Sequence, residues 1–430
     1  MNLAFGKIID QKERAEIVGA LDMFTSKTLS QKTLVPSIVI NACDRLARSI
    51  GTEHIELLLS LGIPKKQGIQ YLEEAKTMLN RDYLLFRLEK ELGPSYMEEN
   101  NFTTGDETLA VTEKLYPLGV LLHITAGNQY GLALYSVIEG LLTGNINIVK
   151  LSSDDDGLSG FALQELIHME PLLADYIYLF DYPSTDTKAI GKLIDVSNAI
   201  IVWGGDRAVQ AVRKMTSPLT QIIEWGHKIS FAYATKPGMT KESLTGLAQN
   251  IVQTNQLLCS SCQGIYLDTE SMDDIYDFCD YFLPILDDCR KNQRLELPME
   301  IRAQNSIQIY TESLESIETP CKVFKGAHTS IVAYENNKLD ISIMHGNCWV
   351  KRLPSHDIVK ILQPNKNHLQ TAALLCGDIE RNHITNQLLK AGVVRITDGA
   401  NMSKIYRGAT HDGYYPLRKY MRVVSIERMI

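Results

Sequence analysis

"GVLLHITAGNQYGLALYSVIEGLLTGNINIVKL", residues 119–151, is the stretch whose reading decides the fold. From Leu115 to Ile138 the chain carries no formal charge, which raises the question of a membrane span. The middle of that run, Thr125-Ala126-Gly127-Asn128-Gln129-Tyr130-Gly131, is too polar and too glycine-rich for one helix in hydrocarbon. There every backbone group must find its partner inside the segment. A buried strand over 119–124, a turn and a buried helix over 132–144 fit instead. Leu134, Val137, Ile138, Leu141 and Leu142 fall on one face of that helix. Residues 147–151, "NIVKL", then read as a second strand. Near-continuously apolar strands alternating with helices predict a parallel sheet covered on both faces.

The alternation spreads outward from there. Strands are predicted over 176–182 and 199–205, with helices over 187–197 and 206–216. A second set begins with a strand over 228–234 and runs through helix 240–255, strand 264–269 and helix 272–286. Strand 371–376, helix 384–392 and strand 393–397 close it. Residues 1–100 read as amphipathic helices, the last stopping at Gly93-Pro94. The expected organisation is a helical region 1–110, an α/β domain 111–234, a second α/β domain 235–400 and a C-terminal segment 401–430. The break falls near residue 235, in "TKPGMT".

Composition narrows the function. With 430 residues and 45% hydrophobic content the chain can bury sizeable cores. A net charge of −8 argues against generic nucleic-acid binding, which needs clustered Lys and Arg. The first residues lack an apolar run of signal-peptide length, and the eight cysteines are scattered from Cys43 to Cys376. The expectation is a reduced, cytoplasmic protein with no transmembrane segment.

Two cysteines lie three apart in "QTNQLLCSSCQG", residues 253–264. Structural zinc needs four ligands, and no second CxxC or HxxxH follows Cys259 and Cys262, so no metal is expected. A thioredoxin-like pair sits after a strand at a helix N-terminus, whereas this pair follows a helix and precedes a strand. The third reading is a single nucleophile, Cys259, in a turn rich in Asn255, Gln256, Ser260, Ser261 and Gln263. Such a turn can aim backbone N–H groups at a developing oxyanion. A buried structural cysteine is the competing reading. Asn128, at the carboxyl end of strand 119–124, is the candidate side-chain donor to that oxyanion, though it can equally serve turn geometry. No GxGxxG occurs. Lys150 ends a strand and is followed by Ser152 and Ser153, and "WGGDRAV" places Gly204 and Gly205 before a helix, where backbone amides suit an anion.

In this order the motifs resemble the aldehyde dehydrogenase superfamily, in the acyl-CoA reductase branch related to the long-chain fatty-acyl-CoA reductase of bacterial luminescence. The likeness runs from about residue 110 to the C-terminus. It implies an aldehyde dehydrogenase-like α/β fold of two domains with Rossmann-type sheets, the helical N-terminal region packing on the cofactor domain. It makes 111–234 the nicotinamide domain and 235–400 the catalytic domain. "NQLLCSSCQ" resembles the catalytic loop, with Cys259 as nucleophile and Cys262 incidental. Asn128 matches the oxyanion asparagine. "IIEWGHKIS" resembles the segment carrying a general-base glutamate, here Glu224. Thr125, Lys150, Ser152, Ser153, Gly204 and Gly205 fall in cofactor-binding positions. "ATHDGYYPL", 409–417, resembles a C-terminal signature of the branch, with the role of His411-Asp412-Gly413 left open.

The resemblance implies reduction of an acyl-CoA, of fatty type, to an aldehyde through a cysteine thioester. Acyl-CoA and CoA are then the small partners, acyl-activating or acyl-transferring enzymes the protein ones, and a homo-oligomer the expected state. Lys150 with Ser152 and Ser153 favours NADPH by offering donors to a 2′-phosphate. Asp181 could instead accept the ribose hydroxyls of NADH. Three alternatives stand beside this reading: a hydrolytic aldehyde dehydrogenase using Glu224, an acyl-phosphate reductase, and an inactive binding subunit.

Overall fold

The structure is a computed structural model. It describes the chain apart from residues 32, 95, 97, 99, 103–107, 126–130, 152–156, 294–296, 316–319 and 430, and the side chains of 101, 102 and 315. Up to Gly226 the strands are β1 (Leu3–Ala4), β2 (Lys7–Ile8), β3 (Asn100–Phe102), β4 (Leu109–Pro117), β5 (Val120–Ile124), β6 (Ile146–Lys150), β7 (Ile177–Phe180), β8 (Ala199–Trp203) and β9 (Gln221–Trp225). Beyond it come β10 (Ile229–Ala234), β11 (Cys262–Leu267), β12 (Cys321–Lys325), β13 (Ser330–Tyr334), β14 (Asn347–Arg352), β15 (Leu369–Leu375), β16 (Arg395–Thr397) and β17 (Met421–Met429).

The first sheet runs β2-β1-β7-β6-β5-β8-β9, parallel from β7 to β9. Every residue of β6 and β7 is buried, which is why their sequences show no polar alternation. From β5 the chain winds outward to β6 and β7, then crosses back to β8 and β9. The winding therefore reverses between β5 and β8, where such sheets open a crevice at the strands' carboxyl ends. Helices Leu132–Leu142 and Leu158–Met169 follow β5 and β6. The N-terminal helices Pro36–Ser49 and Arg81–Leu92 bury Val39, Ile40, Leu46, Leu84 and Leu88 in one core with Val137 and Leu141.

The second sheet runs β12-β13-β14-β11-β10-β15-β16, parallel except for the β12–β13 pair. Gly264 on β11 lies under the Trp349 indole, so close that a Cβ there would stand 2.0 Å from the ring. A third, antiparallel sheet, β17-β4-β3, pairs the end of the chain with residues 109–117.

The chain divides into two units, Met1–Gly226 with Arg407–Ile430, and His227–Tyr406. The division falls earlier than residue 235 because β10 hydrogen-bonds between β11 and β15 and so belongs to the second sheet. Features outside the sequence expectations include the β1–β2 hairpin inside the helical region, β9, the helices Leu158–Met169 and Met299–Glu315, strands β12 to β14, and the third sheet. Among the described residues no helix is long and apolar enough to cross a membrane.

Candidate active site

In the first unit the expected cofactor residues gather at the carboxyl ends of the strands. Ile124 pairs with Lys150 and with Val202, and Val202 pairs with Glu224. Thr125 donates its backbone N–H to the Lys150 carbonyl at 3.3 Å and its hydroxyl to the same oxygen at 3.4 Å. Lys150 itself is 6% exposed. Burial pulls its ammonium below the ordinary lysine value, and Asp181 opposes that shift. The Asp181 carboxylate lies 3.0 Å from the Met1 amino nitrogen.

Gly205 caps the helix Asp206–Met215 with no side-chain hydrogen bond to its amides. Among the described residues, a Cβ on Gly205 would meet nothing within 4 Å, and one on Gly204 would meet the Ala208 methyl at 3.2 Å. The described residues thus leave these glycines uncrowded at the helix N-terminus, where the dipole's positive end lies. A buried cation at one strand end and helix N-terminal amides at another are of the kind that suit a dinucleotide's ribose and phosphates. Lys150 and the Gly204–Gly205 turn fit the nicotinamide cofactor that the resemblance implies. Asn128, Ser152 and Ser153 lie outside the described residues.

Beneath that turn runs a polar chain. The Trp203 indole donates to Ser136 Oγ at 3.1 Å, and Ser136 is 2.6 Å from His123 Nδ1. His123 Nε2 reaches Asn147 Oδ1 at 3.0 Å. Burial drops His123 to about 4, so the ring is neutral near pH 7. Ser136 can then donate to Nδ1 while Nε2–H donates to Asn147.

Glu224, on β9, accepts from Arg213 Nε at 2.5 Å and is partly exposed. His411 also finds a place. Asp412 and Gly413 take φ values of 48° and 81°, and His411 and Tyr414 exchange backbone hydrogen bonds of 2.8 and 2.9 Å around them. This is a two-residue turn of the kind Asp-Gly favours. It sets the His411 ring edge-on to Trp225 and Trp203, with centroids 4.7 and 5.1 Å away.

In the second unit Cys259 sits in the turn between the helix Lys241–Thr254 and β11. It is exposed, whereas Cys262 is fully buried, its thiol 3.2 Å from the Gly264 carbonyl. Burial pushes the Cys262 thiol well above the ordinary cysteine value. Leu257 and Leu258 beside Cys259 are exposed as well.

The polar residues of the turn brace it. Asn255 and Gln256 take left-handed φ values of 49° and 62°, conformations that surrounding structure must hold. Asn255 Oδ1 accepts from Arg290 at 2.8 Å. The buried Gln256 amide donates to the Cys262 carbonyl and to Ser342 Oγ, each at 3.0 Å, and accepts from Gly346 N–H. Gln263 Nε2 returns to the Gln256 carbonyl at 2.9 Å, and Ser261 Oγ accepts from Leu258 N–H. Gln256, Ser261 and Gln263 are thus spent on the turn's shape.

Two residues that sequence reading missed touch Cys259. Ser230 Oγ donates to the Cys259 carbonyl at 2.6 Å and accepts from Thr371 N–H at 3.0 Å. Its strand slips register against both neighbours next to Ser230. Gln370 Nε2 lies 3.2 Å from Cys259 Sγ. Gln370 is the second residue of β15, 111 residues further along the chain, and no local pattern marks it.

The fold is that of the aldehyde dehydrogenases. A lactaldehyde dehydrogenase structure superposes with a TM-score of 0.74 at 12% identity, covering 100% of this chain and 96% of that one. Glyceraldehyde-3-phosphate dehydrogenase GapN of Methanocaldococcus jannaschii, solved with NADP, gives 0.73 at 12% identity, covering 99% and 96%. The chain belongs to the Acyl-CoA reductase (LuxC) family, whose model matches residues 34–423. It is 26% identical over 323 residues to a long-chain acyl-protein thioester reductase of Aliivibrio fischeri, covering 73% of this chain and 65% of that relative. To the protein of the same name in Vibrio harveyi it is 24% identical over 368 residues, covering 82% and 73%.

Proposed function

We propose that the chain reduces a fatty acyl thioester to the aldehyde with NADPH, Cys259 serving as the acyl acceptor. The contrast between 259 and 262 carries the reading: one thiol stands exposed in a braced turn, the other is sealed in the sheet.

The Cys259 thiolate attacks the thioester carbonyl, and the donor thiol leaves. The Asn128 amide and a backbone N–H near Cys259 are the proposed donors to the tetrahedral oxyanion, one such donor being worth ~3 kcal/mol of barrier. Lys150 would hold the cofactor's ribose and 2′-phosphate together with Ser152 and Ser153, and Gly204 and Gly205 would let it approach the sheet. A bound NADPH supplies hydride. Glu224 is dispensable in this direction, because thiol exchange needs no activated water. Its pairing with Arg213 also speaks against a free base for the hydrolytic reading.

Acyl-CoA is the donor proposed first. The names of the relatives favour an acyl-protein thioester as the second. Both present the same carbonyl to Cys259. The test follows NADPH oxidation by the purified chain with acyl-CoA, with an acyl-protein thioester, and with neither. Thioester-dependent oxidation with aldehyde as product is expected. Fatty acid as the only product, or turnover indifferent to thioester, overturns the proposal.

A further inference from the structure

We propose that Gln370 is a catalytic residue of the thiol site, its side-chain amide donating a hydrogen bond to the Cys259 sulfur and stabilising the thiolate. The inference rests on Cys259 being the nucleophile.

The geometry is specific. Gln370 Nε2 stands 3.2 Å from Sγ, and the residue is only 8% exposed. Thr371 Oγ1 donates to Gln370 Oε1 at 3.4 Å, which turns the amino end of the amide toward sulfur. The Gln370 carbonyl accepts Val394 N–H at 3.1 Å, fixing the backbone beneath it. Ser230 joins the Cys259 carbonyl to Thr371 N–H, so one hydroxyl ties the cysteine turn to the start of β15.

The site needs such a donor. Reactive cysteines commonly sit at helix N-termini, where the dipole favours the anion. Cys259 instead follows the C-terminus of Lys241–Thr254, whose carbonyl end disfavours negative charge. Arg290 meets that end, but at 2.8 Å from the Asn255 side chain. Gln370 reaches the sulfur itself, and a neutral amide donates without competing for the thiol proton.

In the covalent step the sulfur lone pair forms the new C–S bond to Cys259. The substrate's C–S bond breaks, and its electron pair leaves on the donor sulfur, which takes up the proton that Cys259 gave. The exchange of thiols balances without oxidant or reductant. A donor to Sγ binds the charged sulfur more strongly than the thioester sulfur. It therefore raises the thiolate population before attack and eases departure of the same sulfur later.

The test is alkylation by iodoacetamide at pH 7 on the intact chain, read at the Cys259 peptide by mass spectrometry. Gln370→Met keeps the volume and removes the donor; Gln370→Glu puts a carboxylate in its place. Alkylation about tenfold slower is expected in Gln370→Met, and slower still in Gln370→Glu. Cys262 reports the fold, staying unlabelled while the sheet is intact, and if one variant exposes it the other carries the comparison. Parent-like rates at Cys259 in a folded variant overturn the inference. Transfer of acyl label from a thioester to some other residue overturns the proposed function instead, and the two failures are read separately.

Discussion

The two large sheets share a design and use opposite edges. In the first, Thr125, Lys150, Gly204 and Glu224 collect where β5, β6, β8 and β9 end. In the second, Ser230, Cys259 and Gln370 collect where β10, β11 and β15 begin. At the carboxyl edge of a parallel sheet the following helices direct their N-termini, and anions are welcome there. At the amino edge the preceding helices deliver their carbonyl ends. The first edge accordingly holds charge, in Lys150 with Asp181 and Arg213 with Glu224. The thiol turn is held by neutral amides and hydroxyls, Gln256, Gln263, Ser230 and Ser342, with Arg290 at its base. On the proposed function, one edge would receive phosphate and the other would hold one sulfur.

The largest effect should come from the amino edge. Cys259→Ser is expected to lower thioester reduction by about a thousandfold or more, as loss of a nucleophile does. Cys262→Ser should keep the chemistry and lose stability, because it puts a hydroxyl in a fully buried site. Mapping of radiolabelled acyl groups checks this, and label on Cys262 would break the contrast between the two thiols. At the carboxyl edge Lys150→Ala should weaken NADPH by about tenfold and NADH less, read as dissociation constants. Equal loss for both would mean that Lys150 holds ribose without sensing the 2′-phosphate. The smallest effect belongs to Glu224→Gln, for which thioester reduction should change by less than about threefold. A working general base is worth about a hundredfold or more, so a fall of that size would reassign the residue.

The sequence made the first edge readable and only part of the second. Strands β5, β6 and β8 announce themselves as unbroken apolar runs, and Lys150 and the glycine pair stand at their ends. Cys259 is conspicuous through its polar turn, but the sequence does not show what the turn's side-chain amides bond to. They bond to one another and to 342–346, because two successive left-handed residues must be held by something. Gln370 was invisible because its partner lies 111 residues away and its own strand reads as plain interior. The third sheet was missed for the same reason: β4 pairs with β17 across most of the chain's length, and neither shows its partner. The β1–β2 hairpin has strands of two residues, too short to carry a period.

That hairpin has a consequence for handling the protein. β1 lies antiparallel along β7, Leu3 opposite Leu179, and thereby occupies what would be the open flank of the first sheet. All four residues of β7 are apolar and fully buried. Stripped of β1, they would offer unpaired backbone groups to any other extended chain, the situation that leads to edge-to-edge aggregation. A preparation clipped ahead of Asp10 should keep every residue of the proposed chemistry and still precipitate. Solubility of this protein is then governed by the short hairpin Leu3–Ile8, far from Cys259 in sequence.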